Sequence, residues 1–272
     1  MSSVSLVNLA HAHKNIILGI HPYKSVSKLQ NHFNPIVKLL SEKTNKNIQL
    51  SIAKDYQTHI DLIGKDKIDF AYMGPAPYVA LVNKYGQKRI LARLVINGKP
   101  TFKGEIIARS DSAIKKLVDF KNRNFAFGDQ KSTMSHLVPR YMLIKQGVTQ
   151  NTLKKMSFLG SHDNVAIAVL SGAYDGGAVK EAVYQKYKDK GLKSVSSTPL
   201  LSEHLFVASN KVPDEVFEMV KKIMLDLKNH AQGKDAMKSI KKTMTAMGEA
   251  EDKDYDNLRV IMDLLSDKKV IK

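Results

Sequence analysis

The chain is paced by short apolar runs, each ending in a polar turn and giving way to a helical pattern. "NIILGI" (15–20) precedes the amphipathic "KLQNHFNPIVKLLSEKT" (28–44), "IQLSIA" (48–53) precedes "YQTHIDLIGK" (56–65), and "DFAYMG" (69–74) precedes "YVALVNKYG" (78–86). Short apolar runs bounded by turn residues read as buried strands, and the 3.6-residue period between them reads as helix. "RILARLVI" (89–96) and "GEIIARS" (104–110) read as two strands around "NGKPT". A second set follows: strand "NFAFG" (124–128), helix "STMSHLVPRYMLIKQG" (132–147), strand "KMSFLG" (155–160), helix "DNVAIAVLSG" (163–172) and a short buried strand "GGAVKE" (176–181). This alternation predicts an α/β protein built on parallel sheets. "LFVASN" (205–210) reads as a further strand, and 213–230, 233–247 and 251–265 as helices.

Two such sets, joined by extended segments near 104–110 and 203–209, predict two lobes with a hinge and a cleft between them. Residues 15–106 plus 207–272 form the first lobe and 107–206 the second, with the C-terminal helices returning to the first. Residues 1–14, "MSSVSLVNLAHAHK", read as the residue of an export signal or as a disordered tail. Ala10-His11-Ala12 has the small-x-small pattern of a cleavage site, but the positive start and full apolar core of a signal are missing.

Charge narrows the partners. The chain carries 43 Lys+Arg against 26 Asp+Glu, a formal net charge of +17. The excess lies in residues 1–210, since 211–272 hold 13 basic and 12 acidic residues. Only six of the basic residues are arginine, and the lysines are dispersed along the chain, not massed in blocks. Nucleic-acid surfaces gather arginine-rich stripes, so no nucleic-acid partner is expected. A diffuse positive field suits a small anion. Cysteine is absent, which excludes disulfides, thiolate metal sites and a cysteine nucleophile. No apolar run is long enough for a membrane span.

Four strand-to-helix turns share one chemistry. They are His21-Pro22-Tyr23-Lys24-Ser25, Pro75-Ala76-Pro77-Tyr78, Asp129 through His136, and Ser161-His162-Asp163. Ligands of open α/β sheets sit beyond the carboxyl ends of the strands. Helix N-termini there offer free N–H groups to anions, and Ser, Thr and Tyr add neutral donors. Taken singly, Ser132, Thr133 and Asp163 are also ordinary helix caps, and Pro75 and Pro77 suit a first helical turn. Pro139 breaks a local rule beside the richest turn. Inside a helix it removes the backbone bond to Ser135 and should kink the first turn.

"DFAYMGPAPYV", "FAFGDQKSTMSHLVPRYML" and "SHDNVAIAVLSGAYDGGAVKEAVY" resemble the phosphate-, phosphite- and phosphonate-binding proteins of ABC importers, the PhnD-like group of periplasmic solute-binding proteins. The resemblance implies a two-lobed, type 2 periplasmic-binding-protein fold that closes on a phosphorus oxyanion. It implies ligand contacts from Ser132, Thr133, Ser135 and His162, with Tyr23 and Tyr78 carried over from the first lobe, and no cofactor or metal. It also implies a soluble, exported monomer that partners a membrane permease. In "TPLLSEHLFVAS" the position where aminophosphonate binders place an acid is His204, which argues against a ligand amine. In a strand-like segment Glu203 would point away from the face that His204 occupies. A sensor domain for a similar anion is the alternative reading. Ser132, His136 and His162 evoke a hydrolase, but no G-x-S-x-G elbow is present, and an enzyme is not expected.

Overall fold

The computed structural model describes residues 15–267. The expectation for residues 1–14 lies outside them. The first βα units follow the predicted order: β1 (Asn15–Ile20), α1 (Val26–Thr44), β2 (Asn47–Ile52), α2 (Tyr56–Gly64), β3 (Phe70–Met73), α3 (Pro75–Tyr85) and β4 (Arg89–Ile96). A two-residue strand β5 (Thr101–Phe102) leads to β6 (Gly104–Arg109), β7 (Asn124–Phe127), α4 (Val138–Lys145), β8 (Lys155–Phe158), α5 (His162–Leu170), β9 (Gly176–Lys180), α6 (Glu181–Tyr187) and β10 (Leu192–Ser197). The chain then runs through β11 (Leu201–Ser202), β12 (Leu205–Ala208), α7 (Asp214–Asp226), α8 (Ala231–Ile240), β13 (Met244–Gly248) and α9 (Asp256–Asp267).

The strands make two separate large sheets. One has the order β13-β4-β12-β3-β1-β2 and the other β10-β6-β9-β7-β8. The βα units pair in parallel, β1 with β2 and β3, and β7 with β8 and β9. The later strands run against them: β12 is antiparallel to β3 and β4, and β6 to β9 and β10. Both sheets are therefore mixed rather than wholly parallel. Each is covered on both faces. Leu29, Phe33 and Ile36 of α1 join Val220 and Met237 over one face of the first sheet, while Ile60, Val79 and Leu258 cover the other.

Two expectations change here. The chain passes between the sheets at 97–103 and 198–204, where β5 pairs antiparallel with β11. The segments 104–110 and 203–209, expected as the joining strands, supply β6 and β12, interior sheet strands that are almost wholly buried. The helix expected over 233–247 stops at Ile240, and Met244–Gly248 is a strand at the sheet edge. The register of β13 against β4 shifts between Met244 and Ala246. That bulge turns Met244 and Met247, three residues apart, to the same buried side, which imitates a helical spacing.

α9 packs against α3 of the first unit and also against α4 of the second. Met134, Leu137 and Val138 share one apolar cluster with Ala76, Tyr255 and Leu258. Among the described residues no helix is long and apolar enough to cross a membrane.

Candidate functional site

The wall contributed by the second sheet is a set of tightly turned helix starts. β7 ends at Phe127, and at Gly128 an added Cβ would sit 2.4 Å from Ser135 Oγ. Glycine thus lets the next turn fold back onto the strand end, where Gly128 N–H donates to Ser135 O at 3.0 Å. Ser132 Oγ accepts the Ser135 N–H at 3.2 Å. Residues Thr133–Leu137 then form a π turn, with the Val138 N–H returning to Thr133 O. Pro139 does not kink an α-helix at Ser135 as expected. It lies in the first turn of α4, where no N–H is needed. The irregularity appears one turn earlier, as the π turn, a device common at functional sites. The N–H groups of Thr133 and Met134 have no partner among the described residues.

α5 begins beside this turn. Ser161 caps it by accepting the Asn164 N–H at 3.2 Å. Its first residue, His162, accepts the backbone N–H of Lys180 at Nδ1, 3.0 Å away. An imidazole that accepts at Nδ1 carries its proton on Nε2. Burial, reinforced by the Lys180 charge, holds the His162 pKa down to about 3. His162 is therefore a neutral ring with a fixed Nε2–H donor. Lys180 itself ends β9. Burial, then Lys24 and Lys241, lower its ammonium to about 8, and its Nζ lies 5.1 Å from the centre of the Tyr23 ring.

The opposite wall is aromatic. His21 and His59 both donate to the Tyr72 carbonyl, through Nδ1 at 3.1 Å and Nε2 at 3.0 Å. His21 stacks on Tyr72 at 5.4 Å, and His204 stacks on the same ring at 5.4 Å. Burial pushes the His21 pKa well down and the Tyr23, Tyr56 and Tyr72 phenols up. Neutral His21 keeps only an acceptor at Nε2. Glu203 accepts from His204 Nδ1 at 2.8 Å and from the His204 N–H at 2.9 Å, with Lys241 Nζ 3.4 Å away. Burial opposes its ionisation, but His204 and Lys241 carry its pKa down to about 2. Burial keeps His204 below the ordinary imidazole range in spite of that carboxylate.

Between the walls lies an inner cavity of about 20 Å³, on the scale of a water or a small ion, lined by His21, Tyr56, Ser132, Thr133, His162 and His204 among others. Tyr23, Lys180, Phe102 and His204 also border an outer vestibule of about 650 Å³. One hydrogen bond spans the two walls: the Ala76 N–H of α3 donates to Thr133 Oγ1 at 3.0 Å. Pro75 and Pro77 have no N–H, so Ala76 is the donor their turn presents.

Five of the seven expected residues, Tyr23, Ser132, Thr133, His162 and His204, line this inner cavity. Two expectations are corrected. Tyr78 lies one turn into α3 and points away from the cleft, its hydroxyl donating to Asp252 at 2.7 Å and its ring packing on Tyr255 at 4.9 Å. Ser135 is fully buried and donates to the Ala178 carbonyl at 2.6 Å, fastening the turn to β9. Glu203 and His204 both border the outer vestibule, against the expected alternation. Residues 203 and 204 fall between β11 and β12, where the backbone is not a strand. His136, which evoked a hydrolase, is buried between Phe127 and Phe158 and tied to the Gln130 carbonyl.

Sequence reasoning missed Tyr56, Lys180 and the part played by His21. Tyr56 opens α2 after the short turn that follows β2, and Lys180 is the last residue of β9, immediately before α6. Both are strand-to-helix turns of the kind already singled out. The first was not among the four turns singled out; Asp55 caps its helix, accepting from Thr58 N–H at 2.6 Å. The second was missed because no helix was expected after "GGAVKE".

Fixed neutral donors, free helix-start N–H groups and one buried ammonium make a site for an anion with several oxygens. Among the described residues no group of three His, Asp or Glu side chains is placed to hold a metal ion. Comparison with known proteins agrees in fold and family. The structure superposes on PhnD1 of Prochlorococcus marinus, solved in complex with methylphosphonate, with a TM-score of 0.83 at 24% identity, covering 95% of this chain and 99% of that one. It matches a binding-protein component of an ABC phosphonate transporter from Pseudomonas aeruginosa with a TM-score of 0.81 at 23% identity, covering 91% and 85%. In sequence it is 28% identical to the phosphate-import protein PhnD of Mycolicibacterium smegmatis over 94% of this chain and 87% of that protein. It is 26% identical to a probable ABC transporter phosphite-binding protein, PhnD1, of Prochlorococcus marinus over 91% and 89%. The family described as "ABC transporter, phosphonate, periplasmic substrate-binding protein" matches residues 18–255. With its two-sheet type 2 fold and its interlobe cleft, the chain belongs to that family of transport binding proteins.

Proposed function

We propose that the inner cavity binds a tetrahedral phosphorus oxyanion, phosphate, phosphite or a simple phosphonate, and that the protein delivers it to the membrane permease of an ABC importer. The observation that carries this reading is His162. Its Nδ1 is occupied by the Lys180 N–H, so its Nε2–H is a neutral donor on a wall that also holds Ser132, Thr133 and Lys180. The relatives named for phosphate import and phosphite binding support the same head group. Transport suits the family better than a sensor role.

In this reading the lobes divide at the β5–β11 crossing, and Ala76–Thr133 is the contact a bound oxyanion competes with. Tyr23, Ser132, Thr133, His162 and His204 touch the ligand, joined by Lys180, His21 and Tyr56, while Tyr78 and Ser135 hold the frame. The carrier acts as an exported monomer without turnover, so p-nitrophenyl phosphate should remain intact in its presence. The test is a thermal-shift screen over phosphate, phosphite, methylphosphonate and sulfate. A ligand at a hundred times its dissociation constant adds about 2.7 kcal/mol to stability. A clear rise with at least one phosphorus anion is expected; no response to any of them would contradict the reading.

A further inference from the structure

The vestibule is far larger than a bare oxyanion needs, and its charges are unevenly paired. Three carboxylates border it, and each is already engaged. Asp163 is held by Lys186 at 2.5 Å, Glu181 by Lys103 at 3.5 Å, and Glu203 by His204 and Lys241. Two bordering ammonium groups, Lys24 and Lys180, have no carboxylate partner among the described residues; Lys24 reaches only His32 Nε2, at 3.4 Å. They flank one ring, with Lys24 Nζ 5.8 Å and Lys180 Nζ 5.1 Å from the centre of Tyr23. They also come from opposite walls, Lys24 from the turn after β1 and Lys180 from the end of β9. Two like charges facing each other across a cleft oppose its closure, and an anion between them reverses the sign of that term. On the Lys180 side that repulsion is visible: burial lowers its ammonium most, and Lys24 is the next cause.

We propose that the ligand is a phosphonate or phosphate monoester whose substituent carries a second anionic group, seated in the vestibule between Lys24 and Lys180. The inference rests on the head-group reading given above, with the phosphorus oxygens in the inner cavity. Lys180 borders both compartments, so a short linker spans the two positions. A substituent ending in an ammonium meets the opposite situation, because every bordering carboxylate already has a lysine ammonium within 3.5 Å. Burying that charge without a partner is costly.

Calorimetry on three probes of similar length tests this: phosphonoacetate, with an anionic tail, ethylphosphonate, with a neutral one, and aminoethylphosphonate, with a cationic one. Phosphonoacetate should bind about tenfold tighter than ethylphosphonate, the worth of one charge-assisted contact, and aminoethylphosphonate weakest of the three. Lys24→Gln should shrink the tenfold gap to about twofold while leaving ethylphosphonate affinity and the thermal midpoint nearly unchanged, since Lys24 touches the tail only. Equal or tighter binding of ethylphosphonate by the unmodified protein overturns the proposal and leaves the head-group reading standing. A gap that survives in Lys24→Gln overturns it as well, assigning the preference to the general field of the protein. If neither phosphate nor any of the three phosphonates binds, the head-group reading fails and the tail proposal fails with it.

Discussion

The two walls of the cleft are made by the same device, a strand running into a helix, and they use it differently. On the second-sheet side the turn is polar. Ser132 and Ser161 cap their helices with their side chains, and His162 offers a donor fixed by Lys180 N–H. On the first-sheet side the turn Pro75-Ala76-Pro77 has one usable N–H, and the surroundings are stacked rings: His21, Tyr72 and His204. The difference teaches a division of labour. In the proposed function one wall supplies hydrogen bonds that single out oxygens, and the other excludes water and strengthens those bonds by lowering the local dielectric. The Ala76 N–H, donating to Thr133 Oγ1, joins the two.

Acid should break both walls together, and this is the largest expected effect. Burial holds His59, on the first side, and His136, on the second, to about 4, against about 6.5 in the unfolded chain. Between those values the unfolded state binds more protons, so stability is complete above pH about 6.5 and falls as pH drops toward 4. Each histidine removes about 3 kcal/mol by pH 4. Denaturant unfolding at pH 7, 5.5 and 4 measures the slope, and His136→Asn should show less of it. A flat profile contradicts the buried neutral assignment.

The next effects separate the walls. His162→Ala removes the fixed donor and should weaken phosphorus-anion binding about a hundredfold by calorimetry; an unchanged constant excludes His162 as a ligand contact. Thr133→Ala should cost about tenfold, less than His162 because the lost hydroxyl also frees the Ala76 N–H for the ligand. Smallest is Tyr78→Phe, which deletes the hydrogen bond to Asp252. It should lower stability by about 1 kcal/mol and leave affinity within about twofold. A large loss of affinity there would return Tyr78 to the site and undo the geometric distinction.

Much of this arrangement was legible in the sequence. Strand-to-helix turns can be read from apolar runs and caps, and they place the ligand side of any such sheet, so Ser132, Thr133 and His162 could be expected at the cavity they line. What could not be read was direction. Whether Tyr78 faces the cleft depends on the rotation of α3, which is set by packing against Tyr255, some 177 residues away in the chain. Whether Ser135 is a ligand donor depends on Ala178 O lying within reach, a product of β9 standing beside β7. Met244–Gly248 read as helix because a bulge placed two methionines at a helical spacing. The pairing of Glu203 with His204 was hidden for a similar reason: period-two alternation holds only within a strand, and these residues lie between two. Lys180 stood in plain view, but its meaning came only with the neutral His162 ring beside it.

The most direct test of the central claim is a crystal structure of the protein with phosphite or methylphosphonate bound. The account predicts the phosphorus in the inner cavity, with His162 Nε2 and the Ser132 and Thr133 hydroxyls at hydrogen-bond distance from its oxygens and Tyr78 still bonded to Asp252. Phosphorus density confined to the outer vestibule, with His162 Nε2 making no contact to it, would contradict the account.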